Sequence, residues 1–84
     1  MTAEENKMID EMVAYYDSLP RYVTPPKTEL LEHIMAVMSA TFANDAPSEG
    51  TIRNWLTGKT KPIDSRYLPL LGMAVREHKL KTKN

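Results

Sequence analysis

The segment SEGTIRNWLTGKTKP, residues 48–62, gathers side chains suited to reading a polar surface and holding an anion. It contains the only Trp of the chain and two of its three Gly. Arg53 and Asn54 are of the types that recognise base edges. A guanidinium bonds guanine at two atoms, and a carboxamide does the same with adenine. Ser48 and Thr51 put hydroxyls beside a helix start, where phosphate oxygens find donors. Lys59 and Lys61 follow at once, placed for contact with a phosphate backbone.

Such groups act together only if one rigid element presents them. Ser48 is a good N-cap and Gly58 suits the residue just past a helix end, so the spacing predicts a helix over 49–57. Ile52, Trp55 and Leu56 recur at i, i+3 and i+4 and form its buried side. Trp55 is read as core, because a ring that large has much area to hide. Glu49, Gly50, Arg53, Asn54 and Thr57 are left facing outward. Glu49 is itself able to accept from cytosine N4.

This segment resembles the recognition-helix signature of the Cro/repressor (XRE-type) helix-turn-helix family. The matching positions are Ser48, Thr51, Ile52, Trp55, Gly58 and Pro62. RYLPLLGMAV, further on, is similar to the family's next helix, which commonly begins Leu-Pro. The likeness covers about residues 48–75. It implies a small all-helical, lambda-repressor-like domain that binds double-stranded DNA as a homodimer, usually as a repressor. It further implies base reading by Glu49, Gly50 and Asn54, and phosphate contacts by Ser48, Thr57, Lys59 and Lys61. Arg53 and Thr51 join these two sets from the reading of the residues alone. The connector TFANDAPS before the recognition helix is longer than the family's tight turn.

The rest of the chain supplies the scaffold. Met8, Ile9, Met12, Val13 and Tyr16 form an apolar stripe that predicts a helix over 3–18, capped by Thr2 and closed by Leu19-Pro20. RYVTPPKTE is a connector, with Thr24-Pro25-Pro26 as a helix-start signal. Leu30, Leu31, Ile34, Met35, Val37, Met38 and Phe42 cover more than half of a helix surface over about 26–43. That breadth marks a central helix touched on several sides. NDAP then breaks it. Leu68-Pro69 opens a last helix, whose buried stripe is Leu68, Leu71, Ala74 and Val75. Residues 79–84, KLKTKN, are expected to fray into a basic tail. The Met residues (Met8, Met12, Met35, Met38 and Met73) are read as adaptable core or dimer interface. No stretch alternates with period two long enough for a strand. The expected fold is therefore all-α, a compact bundle of four helices in a single domain over 1–84, containing a helix-turn-helix.

Composition narrows the function. With 84 residues the core is small, and folds of this size often gain stability by pairing. The formal net charge is zero, but it is split. Residues 1–47 hold three basic and eight acidic side chains, net −5; residues 48–84 hold eight basic and three acidic, net +5. One face is thereby suited to an anion. There is no Cys, and the two His, His33 and His78, have no ligand-spaced companions, so no metal site or cofactor is expected. Both His are read as surface or edge residues. No Gly-rich phosphate loop or Cys nucleophile suggests an enzyme. No membrane span, signal segment or small-molecule ligand is evident, and a cytoplasmic protein is expected. A different class fits the same scaffold: a protein-interaction module such as an antitoxin or anti-repressor, acting through the acidic N-terminal half.

Overall fold

The computed structural model describes residues 2–19, 25–62 and 64–82. The chain forms four α-helices, with no strand among the described residues: α1 (Ala3–Ser18), α2 (Pro25–Phe42), α3 (Glu49–Leu56) and α4 (Tyr67–Thr82). A 3-10 turn, Ala43–Asp45, joins α2 to α3. The result is an all-α bundle with a radius of gyration of 12.1 Å. About 12 Å is what a compact chain of this length gives.

Each helix starts where local chemistry favours it. Thr2 and Glu5 form a reciprocal capping box on α1: Glu5 N donates to Thr2 Oγ1 at 3.2 Å, and Thr2 N donates to Glu5 Oε1 at 2.9 Å. That bond to the Thr2 backbone N–H is also the main cause holding the Glu5 carboxyl below its ordinary value. At α4, Tyr67 N and Leu68 N donate to the carbonyls of Asp64 and Ser65, each at 3.2 Å. The helix thus begins one residue before Leu68. Pro69 falls in its first turn, where a missing N–H costs nothing.

α2 lies at the centre and packs on α4, α3 and the 3-10 turn, while α1 closes the bundle against α3 and α4. The core is Ile9 and Met12 of α1, Leu30, Leu31, Ile34 and Met38 of α2, Ile52, Trp55 and Leu56 of α3, and Leu68, Leu71, Ala74 and Val75 of α4. Burial of a Leu or Ile side chain contributes about 1.5–3 kcal/mol, so this cluster is the main favourable contribution to the fold. Met8 and Met35 lie partly buried against it, whereas Met73 is exposed.

Three expectations need correction or limits. α4 continues through Lys79 and Lys81 to Thr82, so this stretch is helix, not a frayed tail. Its lysines sit at the negative end of the helix dipole, which favours them there. His78 is not a surface residue: it is buried, at 3% exposure. It extends the Leu68, Leu71, Val75 stripe by one more three-residue step, which turns it inward. The readings placed on Pro20, on residues 21–24 and on residues 83–84 lie outside the described residues.

Candidate nucleic-acid interface

α3 is short and defined at both ends by hydrogen bonds. At its start, Ser48 Oγ accepts from Thr51 N at 3.3 Å and lies 3.0 Å from Thr51 Oγ1. At its end, Lys59 N donates to Asn54 O at 2.9 Å and Gly58 N donates to Trp55 O at 3.3 Å. These two bonds make a Schellman motif, which requires a left-handed residue at Gly58. Gly58 has φ +79°. Val13 of α1 lies beside it: a Cβ built on Gly58 would meet Val13 Cγ1 at 3.4 Å, an ordinary contact distance, so it is the backbone conformation that calls for glycine.

The apolar residues of α3 face the core, and its polar residues face out. Ile52, Trp55 and Leu56 are buried; Glu49, Gly50, Arg53 and Thr57 are exposed. Asn54 is half-buried at the edge of this outer face, as is Thr51. Gly50 has open space around it, so no neighbour shields the helix backbone there. Arg53 Nη2 lies 3.3 Å from Glu49 Oε2, one turn away. Both side chains are about half exposed, and a pair of this kind is worth only a few tenths of a kcal/mol. It aligns the two groups without locking them.

The expected phosphate contacts divide in two. The hydroxyls of Ser48 and Thr51 bond to each other in the cap. Thr57 Oγ1 donates to Asn54 O at 3.3 Å, so its hydroxyl serves the helix end. Lys59 and Lys61 are exposed in the loop beyond it. Lys61 Nζ reaches Asn6 Oδ1 of α1 at 3.4 Å. The buried Pro62 then anchors the loop. Thus Glu49, Gly50, Arg53 and Thr57 share one face with Asn54 at its rim, and the two lysines lie past its C-terminal end.

Several residues that shape this region escaped the sequence reading. Tyr67 stacks near both Trp55 and Phe42, with ring centroids at 5.3 Å and 5.1 Å, and so ties α3 to the end of α2 and the start of α4. Arg66 is turned toward Asp64, with Nη2 at 2.6 Å and Nε at 2.8 Å from Oδ2. These bonds hold the Asp64 carboxyl below its ordinary value. Ala43 has φ +52°, a left-handed conformation, at the stop of α2. Of these, only Tyr67 left a trace in the sequence: it sits directly before the Leu-Pro that opens α4, next to the core residue Leu68.

Among the described residues no group of three His, Asp or Glu side chains is arranged to hold a metal ion, and no helix is long and apolar enough to cross a membrane. Comparison with protein-family models, with curated proteins and with solved structures finds no match.

Proposed function

We propose that this chain is a sequence-specific double-stranded DNA-binding transcriptional regulator of the Cro/repressor type, acting as a homodimeric repressor. α3 enters the major groove. Glu49, Arg53 and Asn54 meet base edges, and Gly50 lets the helix backbone come close. Lys59 and Lys61 meet phosphates beyond the C-terminal end of the helix. Ser48 and Thr51 at the N-terminal end of α3, and Thr57 at its C-terminal end, add hydroxyls that exchange their internal bonds for phosphate oxygens.

The observation that supports this reading best is the outer face of α3. A helix braced by its N-cap, its Schellman motif and its aromatic anchor leaves an uncovered polar face that includes Arg53, with Asn54 at its rim. A rigid helix with a free polar face is what direct readout requires. The half-sites of a two-fold operator would lie about 34 Å apart, one turn of DNA. The zero net charge is compatible with this, because the basic excess lies in residues 48–84.

The test is a mobility shift with random duplex over a salt series, followed by selection of bound sequences from a random pool. Binding that weakens steeply with salt, and a recovered two-fold motif, support the proposal. Failure to bind any duplex at low salt overturns it. A second reading, a partner-binding module, draws on the exposed carboxylates Glu4, Asp10, Glu11 and Asp17 along α1. It predicts that changes to Arg53 and Asn54 leave function intact while changes on α1 abolish it.

A further inference from the structure

Among the described residues, the large apolar side chains left in solvent lie on the outer face of α4. Leu80 is 65% exposed and Met73 is 42% exposed. They lie seven residues apart, about two turns, so one stands above the other on a single line. Pro69, also exposed, continues that line toward the start of the helix. Arg76 and Glu77, both exposed, are adjacent in sequence and so about 100° apart around the helix. The Met73–Leu80 line runs between them. An apolar seam therefore has a cation on one flank and a carboxylate on the other, at almost the same height.

We infer that this face pairs with the same face of a second copy, about a two-fold axis parallel to α4. The inference deepens the dimeric part of the function proposed above and rests on it. The order of the charges selects the arrangement. A two-fold axis along the helix brings each flank against the opposite flank of the copy. Arg76 of one chain then faces Glu77 of the other, twice, while Met73 meets Met73 and Leu80 meets Leu80. An axis across the helix would instead set Arg76 beside Arg76 and Glu77 beside Glu77, and like charges in contact disfavour that pairing. Glu77 already shares a 2.8 Å contact with His33 Nε2, and a carboxylate has acceptor sites for a second donor. α4 packs on α2 and α1, and no residue of α3 belongs to this face. Pairing here accounts for the exposed Met73 and Leu80, and a small core gains from it.

The experiment is sedimentation of the full chain, without DNA, over a concentration series reaching ~100 μM, since a single helix pair makes a small interface. The wild type should pass from monomer to dimer. Arg76→Glu should weaken self-association at least about tenfold, with an unchanged circular dichroism spectrum. Arg76→Glu combined with Glu77→Arg should restore it, because the swap rebuilds both cross-copy pairs. The chain has no Cys, so single-cysteine variants report cleanly. Leu80→Cys should oxidise to a covalent dimer much faster than Glu32→Cys, an exposed control on α2. A dimer that Arg76→Glu leaves unchanged overturns this surface but leaves the dimeric reading standing. A wild type that stays monomeric throughout overturns both, and duplex binding then tests the DNA reading by itself.

Discussion

The indole of Trp55 lies 5.3 Å from the phenol of Tyr67, with the ring planes inclined at 37°. Phe42 meets the same phenol edge-on at 5.1 Å. Three helices thus share one aromatic contact directly beneath the outer face of α3. Trp55→Ala should cost about 3–5 kcal/mol, from lost burial and the cavity left behind. In a domain this small, that is most of the total stability. Urea unfolding followed by circular dichroism measures it. A Trp55→Ala protein as stable as the wild type would mean that the ring does not anchor α3.

Arg53→Ala and Asn54→Ala should each weaken binding to the selected duplex by about 1–3 kcal/mol and relax the preference at one position. Lys59→Ala and Lys61→Ala should lower affinity for all duplexes alike and reduce the salt slope by about one each. Titrations at several salt concentrations separate the two effects. Unchanged operator affinity in Asn54→Ala would remove that residue from the base-reading set.

Two left-handed residues predict opposite outcomes. Ala43 has φ +52°, a conformation that disfavours a side chain, so Ala43→Gly should stabilise the fold by about 0.5–1 kcal/mol. Gly58→Ala should destabilise it by about 1–2 kcal/mol, because φ is +79°, a conformation that a side chain disfavours. Paired denaturation midpoints test this. The proposed turn geometry fails if both substitutions move stability the same way.

His78 predicts a response to acid. Burial pushes its pKa below the ordinary 6.5, against the opposing pull of Glu29 and the Pro26 backbone, while His33 and Lys81 push it the same way as burial. Its Nδ1 lies 2.6 Å from the Tyr15 hydroxyl. The unfolded chain therefore takes up a proton before the folded one does. The contribution is complete above pH 6.5 and is lost as pH falls from there through the lower folded pKa. Urea midpoints between about pH 7 and 5 should fall with acidity. His78→Gln should flatten that part of the curve; an unchanged slope would assign the loss to other groups.

The helices were legible because each has a local signature. Thr2 and Ser48 cap, Gly58 stops, and the Ile52, Trp55, Leu56 spacing sets a face whatever lies across from it. Contacts between distant residues left no such mark. Nothing near His78 announces that Tyr15, on another helix, will stand beside it, and Lys61 gives no hint of Asn6. The role of Tyr67 comes from Phe42 and Trp55, which lie on other helices. The outer face of α3 was readable for the same reason as the caps: it is whatever the buried stripe leaves over. The hydroxyls of Ser48, Thr51 and Thr57 were harder, because the helix ends offer them backbone partners, an N–H for Ser48 and a carbonyl for Thr57, that compete with any outside ligand.

The loop that carries Lys59 and Lys61 is fastened to two helices by different means. Its first half hangs from the Asn54 carbonyl through backbone bonds of Lys59 and Thr60, whereas Lys61 reaches across to Asn6 at the end of the first turn of α1. Opening of α1 from its N-terminal end would therefore release Lys61 and leave Lys59 in place. Amide hydrogen exchange should find Lys59 and Thr60 protected as long as α3 survives, whereas the Lys61 contact is made by a side chain and is read by Asn6→Ala instead. The basic loop thus has two attachments that can part independently, one to α3 and one to α1.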